Sequence, residues 1–163
     1  MALQRVATAE AVPAEQRLVL FMEPRFLRGA ALTAQGAFWG AVACLREGLA
    51  SRLGAVMFRP YGFAVLAEAL TRQGEHAPSL AAVREGMEEQ AETGALRWRS
   101  ELQRLEGVAL IGLNRLDEGQ SALDEGQSAL DEALRIARRQ QAEAYELRAA
   151  TSLARLGRAG SAR

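Results

Sequence analysis

The sequence is poor in the residues that hold a fold together covalently or through a metal. Its 163 residues include one cysteine, Cys44, and one histidine, His76. A single cysteine cannot form an internal disulfide, and a structural zinc site needs several cysteine or histidine ligands. We therefore expect no metal site and no cofactor, and a fold that is stabilised by the packing of apolar side chains.

The chain also lacks a surplus of charge of either sign. Its 20 basic and 20 acidic residues cancel, and all of the basic residues are arginine. Without a net charge, no overall field attracts nucleic acid or an anionic membrane surface, so neither is an expected partner. The absence of lysine, together with abundant alanine, glycine and leucine, is typical of a GC-rich bacterial genome.

Long apolar runs are missing as well. No segment is long and apolar enough to span a bilayer as a helix, and Leu18–Phe21 is too short for the hydrophobic region of a signal peptide. We expect a cytoplasmic protein. The length and the 49% hydrophobic content predict one globular domain over residues 1–163.

What the sequence does contain is an internal repeat. Ala31–Gly36 recurs as Ala69–Gly74, and Leu45–Leu49 recurs as Val83–Met87, both at an offset of 38. A third copy follows at an offset of 40, where Ala109-Leu110 matches Ala69-Leu70. Two separate matches with one period indicate a repeated structural unit.

Each copy has the features of two helices joined by a tight turn. A small residue begins each match and allows two helices to approach closely, and seven residues later comes a residue that tolerates a left-handed backbone. The small residues are Gly29, Ala67 and Gly107, and the turn residues are Gly36, Gly74 and Asn114. Because one helix pair cannot bury its own apolar face, successive pairs must stack.

The sequence therefore predicts an all-α protein, an α-solenoid of three helix pairs. The pairs are expected at about residues 22–57, 60–97 and 98–141. A further helix is expected near residues 14–22 and a closing helix near residues 141–156, with residues 157–163 frayed.

This spacing resembles the tetratricopeptide repeat, in which small residues recur in the second helix of each pair. The first of these positions falls on Ala41, Ser79 and Gly119, and the later one falls on Gly48, Gly86 and Gly126. The period here is longer than that of the family, and the family's tryptophan, tyrosine and proline signatures are weak or missing. The resemblance implies a binding or scaffolding module rather than an enzyme.

A second resemblance covers residues 98–156, with Glu101–Gly107, Ile136–Gln140 and Glu146–Leu156 as its main segments. They are similar to the C-terminal helical-repeat region of large bacterial regulators that join a nucleotide-cyclase or transcription-factor domain to an ATPase module. Neither cyclase nor ATPase motifs are present here, so the resemblance implies only an interaction role in a bacterial regulatory assembly.

The third repeat contains a duplicated heptad. Leu116–Ala122 is followed at once by the identical Leu123–Ala129. Seven residues are nearly two helical turns, so an insertion within a helix preserves the face that meets the core. We expect one continuous helix that projects about 10 Å further, with a partly disordered turn as the alternative. Deleting one copy should leave the fold intact.

For most of the residues that could take part in catalysis or binding, the sequence favours a structural role. His76 is expected to be a solvated turn residue, Cys44 a core residue, and Trp98 a link between neighbouring repeats. An acidic run has the pattern of a solvated helix face and consists of Glu85, Glu88, Glu89 and Glu92. A basic run has the pattern of a helix end and consists of Arg135, Arg138 and Arg139.

The candidate site is therefore a surface, with no catalytic residues. In tetratricopeptide arrays the first helix of each pair lines the concave face, and this register predicts a groove that binds a peptide carrying carboxylates. The predicted groove residues are Phe26, Tyr61, Glu68, Arg72, Glu101 and Arg104. The alternative is self-association of the chain into a homo-oligomer through its terminal helices.

Overall fold

The computed structural model describes residues 23–51, 58–94, 96–117 and 120–161. Over these residues the fold is all-α, as predicted, with seven helices, one short 3-10 turn (Leu96–Trp98) and no strand. The helices are α1 (Pro24–Ala34), α2 (Phe38–Ala50), α3 (Arg59–Gln73), α4 (His76–Thr93), α5 (Arg99–Asp117), α6 (Gln120–Arg139) and α7 (Glu143–Ser161). The helix expected near residues 14–22 lies outside the described residues.

Glycines follow the ends of α1 and α3, as the sequence predicts. Gly36 follows α1 with φ of 79°, and Gly74 follows α3 with φ of 83°. The left-handed residue lets the backbone N–H of the residue after it reach back to a carbonyl of the last turn. Ala37 donates in this way to Leu32 at 2.9 Å. The chain then reverses, and α2 and α4 pack against the helices that precede them.

The helices form two layers. Each helix packs against the next one along the chain, and in addition α1 contacts α3, α3 contacts α5, and α5 contacts α7. Within the described residues, α2, α4 and α6 make no such contacts with one another. The odd-numbered helices therefore form a continuous layer, which we call the inner layer, and the even-numbered helices lie outside it.

Small residues allow the layers to approach closely. A side chain at Gly62 of α3 would overlap the Phe26 ring of α1, with a Cβ only 2.6 Å from Cε1. Gly86 of α4 packs in a similar way against Phe63 and Leu102. The buried Ser79 fits as well, because its hydroxyl donates to the Ala67 carbonyl at 2.9 Å. Buried leucines, alanines and Val83 fill the space between the helices.

The duplicated heptad does not lie in one continuous helix. The expectations of a continuous helix and of a turn at Asn114 are both wrong, because α5 runs through Asn114 to Asp117 and α6 begins at Gln120. Compared with the second pair, α5 extends four residues further beyond Gly107, and α6 begins three residues earlier relative to Leu130. The seven extra residues thus add about one turn of 3.6 residues to each arm of the hairpin.

The last helix is longer than expected. It continues past Gly157 to Ser161, beyond the end expected near residue 156. One glycine costs a helix only about 1 kcal/mol, which is too little to end it.

None of the described helices combines the length and the apolar character that crossing a bilayer requires.

Candidate functional site

A cavity of about 330 Å³ opens on the inner layer, and we call it the aromatic cavity. Residues of α1, α3, α5, α7 and the 3-10 turn line it. Its apolar wall consists of Ala30, Ala34, Ala64, Val65 and three aromatic side chains. Its polar wall consists of Thr33, Glu68, Arg72, Glu101 and Arg148. An apolar cavity with a few convergent polar groups is the usual form of a ligand pocket.

Trp98 is the centre of the aromatic wall. Its ring lies 4.8 Å from the Tyr61 ring, tilted by 41°, and 6.3 Å from the Tyr145 ring in an edge-on arrangement. These are favourable separations for aromatic pairs. The three rings come from α3, the 3-10 turn and α7, so Trp98 contacts two helices that are distant in sequence, and it also faces the cavity.

Both tyrosine hydroxyls resist ionisation. Burial raises the pKa of Tyr61. Burial also raises the pKa of Tyr145 to about 12, with the nearby Glu101 carboxylate as a further cause. Both phenols therefore stay neutral at physiological pH, and a ligand in the cavity would meet uncharged rings.

The polar wall is organised by one buried arginine. The Arg104 guanidinium on α5 donates to both carboxylate oxygens of Glu101, at 2.8 and 3.0 Å, and to Glu68 of α3 at 2.5 Å. A bidentate pair of this kind is both strong and directional. Burial alone would lower the pKa of Arg104, but the hydrogen bonds and charges of Glu101 and Glu68 outweigh it and raise the pKa.

Two partly exposed arginines complete this ion-pair network. Arg148 of α7 donates to Glu68 at 3.1 Å and pairs with Glu101 at 2.8 Å, and Arg72 donates to Glu68 at 3.1 Å. Burial would raise the pKa of Glu68, but the charges of Arg104, Arg148 and Arg72 outweigh it and lower the pKa. Glu68 is thus ionised and neutralised by its arginine partners, while the Arg72 and Arg148 side chains are 56% and 47% exposed.

Five of the six predicted groove residues lie together in this structure. Tyr61, Glu68, Arg72 and Glu101 line the aromatic cavity, and Arg104 joins the two glutamates beneath it. Phe26 does not belong to the group. It is 2% exposed and packs against Gly48 and Gly62 in the core, so its prediction as a groove residue is corrected.

The prediction missed Tyr145 and Arg148, both on α7. They are three residues apart and therefore lie on one helical face. From the sequence, α7 is expected only as a closing helix, whereas its contact with α5 makes it the fourth member of the inner layer. An aromatic residue and an arginine at this spacing in a terminal helix were the signal that could have indicated the site.

A second cavity, of about 320 Å³, adjoins the first, and we call it the arginine cavity. Glu68 and Arg72 line both cavities, so these two side chains form the wall between them. The other lining residues are Thr71, His76, Arg104, Val108, Ile111, Gly112, Leu130, Ser152, Arg155 and Leu156.

His76 and Cys44 differ from their predicted environments. His76 begins α4 and is half-buried, with its ring against Gly112, so it is not a solvated turn residue. The absence of a side chain at Gly112 provides the space for this ring. Cys44 is half-buried rather than fully buried, and its thiol lies 3.5 Å from the Arg25 carbonyl.

The two charged runs lie outside both cavities. In the acidic run Glu85, Glu88 and Glu92 are exposed, as predicted, whereas Glu89 accepts a hydrogen bond from Arg59 at 2.7 Å. In the basic run Arg135 pairs with Glu132, and Arg138 pairs with Glu146 at 2.9 Å. Across the part of the chain that the structure describes, no group of three or more His, Cys, Asp or Glu side chains is arranged to hold a metal ion.

The inner layer thus presents two adjoining cavities, one aromatic and one rich in arginine, separated by a wall of ion pairs. Comparison of the chain with models of known protein families, with curated proteins and with solved structures gives no significant match.

Proposed function

We propose that the chain is a tetratricopeptide-like α-solenoid that binds a peptide segment of a partner protein in a groove on its inner layer. The three helix pairs are α1 with α2, α3 with α4, and α5 with α6, and α7 closes the array. The role is one of binding rather than catalysis, and we place it in a cytoplasmic regulatory assembly of bacterial origin.

The continuous contact of α1, α3, α5 and α7 supports the solenoid arrangement. Equivalent packing in different pairs supports the repeat. Leu45 lies against Gly29 in the first pair, and Leu130 lies against Gly107 in the third. The number of residues between the glycine and the leucine is larger in the third pair than in the first. The difference is one heptad.

The aromatic cavity is the observation on which the binding function depends. It is open, it adjoins half-exposed cationic groups, and its rings pack against one another. Rigid aromatic side chains provide a large contact area at a low entropic cost, which is why they dominate the binding energy of many interfaces. One apolar side chain of a partner fits a cavity of this size.

The charges around the cavity favour an acidic peptide. Glu68 and Glu101 are already satisfied by Arg104, whereas the outer donors of Arg72 and Arg148 face solvent. An incoming carboxylate can therefore bind these two guanidinium groups without leaving a buried charge unpaired.

Tryptophan fluorescence provides a direct test. The chain has two tryptophans, and Trp39 is 78% exposed and does not line the aromatic cavity. In a Trp39→Phe variant, Trp98 is the only reporter. An array of acidic decapeptides with one apolar residue should yield ligands that shift its emission.

Trp98→Ala should weaken binding of the selected peptide at least about 30-fold, because removal of an interface hot spot costs about 2 kcal/mol or more. Arg148→Gln should weaken it about tenfold. The Trp39→Ala variant is the matched control and should bind normally. Failure of every acidic peptide to bind, or equal binding by the Trp98→Ala variant, would refute the proposal.

A second candidate function is self-association through the terminal helix. Leu147 of α7 is 69% exposed, so the terminal helix presents an apolar side chain to solvent. If the chain forms oligomers through this face, sedimentation will depend on protein concentration, and Leu147→Glu will abolish that dependence. A monomer at all concentrations would exclude this alternative.

A further inference from the structure

We infer that the arginine cavity binds a phosphoryl group carried by the partner peptide. This inference rests on the peptide-binding function proposed above and specifies the chemistry of the ligand. It concerns a cavity that the aromatic anchor does not occupy, on the other side of the Glu68 and Arg72 wall.

The lining of the arginine cavity is strongly biased towards positive charge. Arg72 comes from α3, Arg104 from α5 and Arg155 from α7, while Glu68 is the single carboxylate among the lining residues. Arginine presents five N–H donors in a planar fork that matches the oxygens of a phosphate. Three such side chains from three helices surround a space of about 320 Å³.

The local charge balance specifies the charge of the ligand. The ion-pair network and the arginine cavity together contain six charged side chains, four positive and two negative: Arg72, Arg104, Arg148, Arg155, Glu68 and Glu101. The surplus is two positive charges. A phosphoserine or phosphothreonine carries about −1.5 to −2 at neutral pH, so it neutralises this surplus, whereas one carboxylate neutralises half of it.

The three arginines of this cavity differ in the hydrogen bonds and salt bridges that they already form. Arg104 is held by Glu101 and Glu68, and Arg72 is held by Glu68 through one side of its guanidinium. Arg155 is exposed and forms no salt bridge with any residue in the described ranges. It can therefore reorient towards a phosphate without breaking such an ion pair.

The rest of the lining suits a phosphorylated side chain. Val108, Ile111 and Leu156 provide apolar contacts for its methylene or methyl groups, and His76 adds a polar ring at the edge. Because the two cavities share a wall, one extended peptide can place an apolar residue in the aromatic cavity and a phosphorylated residue in the arginine cavity. The two residues would then be separated by only a few positions, at about 3.3–3.6 Å per residue.

The test uses a short peptide series and the full chain. Each fluorescein-labelled peptide carries one tryptophan, a spacer of one to four alanines, and then phosphoserine, serine or a Glu-Glu pair. Fluorescence anisotropy measures the affinity. At the best spacer length the phosphoserine peptide should bind at least about tenfold more tightly than the serine peptide, since hydrogen bonds to charged groups are the stronger class. It should also bind more tightly than the Glu-Glu peptide.

Arg155→Gln should remove most of this preference for phosphoserine, because it deletes the exposed arginine of the arginine cavity, which does not line the aromatic cavity. The matched control is Arg84→Gln, which removes an exposed arginine from the outer helix α4 and should leave the preference unchanged.

Three results would overturn the inference: equal affinity for serine and phosphoserine peptides, equal affinity for Glu-Glu and phosphoserine peptides, or an unchanged preference in Arg155→Gln. If tryptophan peptides bind and Trp98→Ala abolishes their binding, each of these results refutes only the phosphoryl site. If no peptide of the series binds, the phosphoryl site and the peptide-binding function both fail.

Discussion

Leu130 of α6 packs directly over Gly107 of α5. A Cβ at Gly107 would lie 2.8 Å from the Leu130 Cγ and 2.6 Å from the backbone carbonyl oxygen of Gly126. The leucine can change rotamer, but the carbonyl belongs to the helix backbone and cannot move by itself. The third hairpin therefore depends on a backbone contact that only glycine permits at this position.

Gly107→Ala should destabilise the protein by about 1–3 kcal/mol, because the strain of overpacking exceeds the gain in helix propensity. The matched control is Gly157→Ala in α7, where the added Cβ meets nothing within 4 Å. That variant should be as stable as the parent, or more stable by up to about 1 kcal/mol. Denaturant unfolding followed by circular dichroism measures both, and equal stabilities would contradict the backbone contact.

Deletion of one heptad, residues 116–122, should leave the fold intact. The second copy then supplies the same residues at the tip, and the Leu130 and Gly107 contact is retained because it lies outside the deleted segment. Each arm of the hairpin loses about one turn. Cooperative thermal unfolding with a nearly unchanged midpoint is the expected outcome, whereas loss of cooperativity would show that the longer hairpin is required for folding.

The sequence was sufficient for the parts of the fold that local chemistry determines. Gly36 and Gly74 end helices because glycine adopts the left-handed conformation at no steric cost, and a tight turn then follows. Asn114 was misinterpreted because asparagine only tolerates that conformation. Within an amphipathic segment that continues beyond it, the helix is the more stable alternative, and α5 proceeds to Asp117.

The site was predictable only in part, because the sequence repeat does not include every residue that lines it. Glu68, Arg72, Glu101 and Arg104 follow from the register of the repeat, since equivalent faces of α3 and α5 meet in one layer. Tyr145 and Arg148 lie outside the three repeated pairs, so the repeat contains no information on them. Phe26 fits the register as well, but the glycines at positions 48 and 62 create a space in the core that its ring fills.

Arg104→Ala should be strongly destabilising. It would leave Glu68 and Glu101 largely buried without their main partner, and breaking a buried ion pair in this way typically costs about 3–5 kcal/mol. The control is Arg135→Ala, which removes an exposed pair with Glu132 and should have little effect. Denaturant unfolding at neutral pH distinguishes them.

A triple variant with Arg104→Met, Glu68→Gln and Glu101→Gln separates the cost of unpaired charge from the cost of lost packing. Because it leaves no uncompensated carboxylate, it should recover much of the stability lost in Arg104→Ala. If the triple variant is as unstable as the single variant, the packing of the arginine side chain, rather than its charge, determines the effect.

Alkaline titration tests the environment of the aromatic wall, since Tyr61 and Tyr145 are the two tyrosines of the chain. The pKa of both is raised above 10.0 by burial, to about 12 for Tyr145. A folded-state pKa above the unfolded value contributes stability that is fully present below about pH 10 and is lost as the pH rises through the folded pKa. Absorbance of tyrosinate at pH 10 should therefore be well below half of its maximum in the native protein and close to half in guanidinium.

The Tyr61→Phe variant isolates one of the two phenols. Tyr145 is then the single titrating tyrosine, and because burial is the main cause of its raised pKa, the midpoint of the native titration should stay above 10. Circular dichroism at each pH shows that the helices persist while the phenol ionises. Half-ionisation of that native variant at pH 10 would mean that Tyr145 is solvated, and the aromatic wall would not exist in the form described.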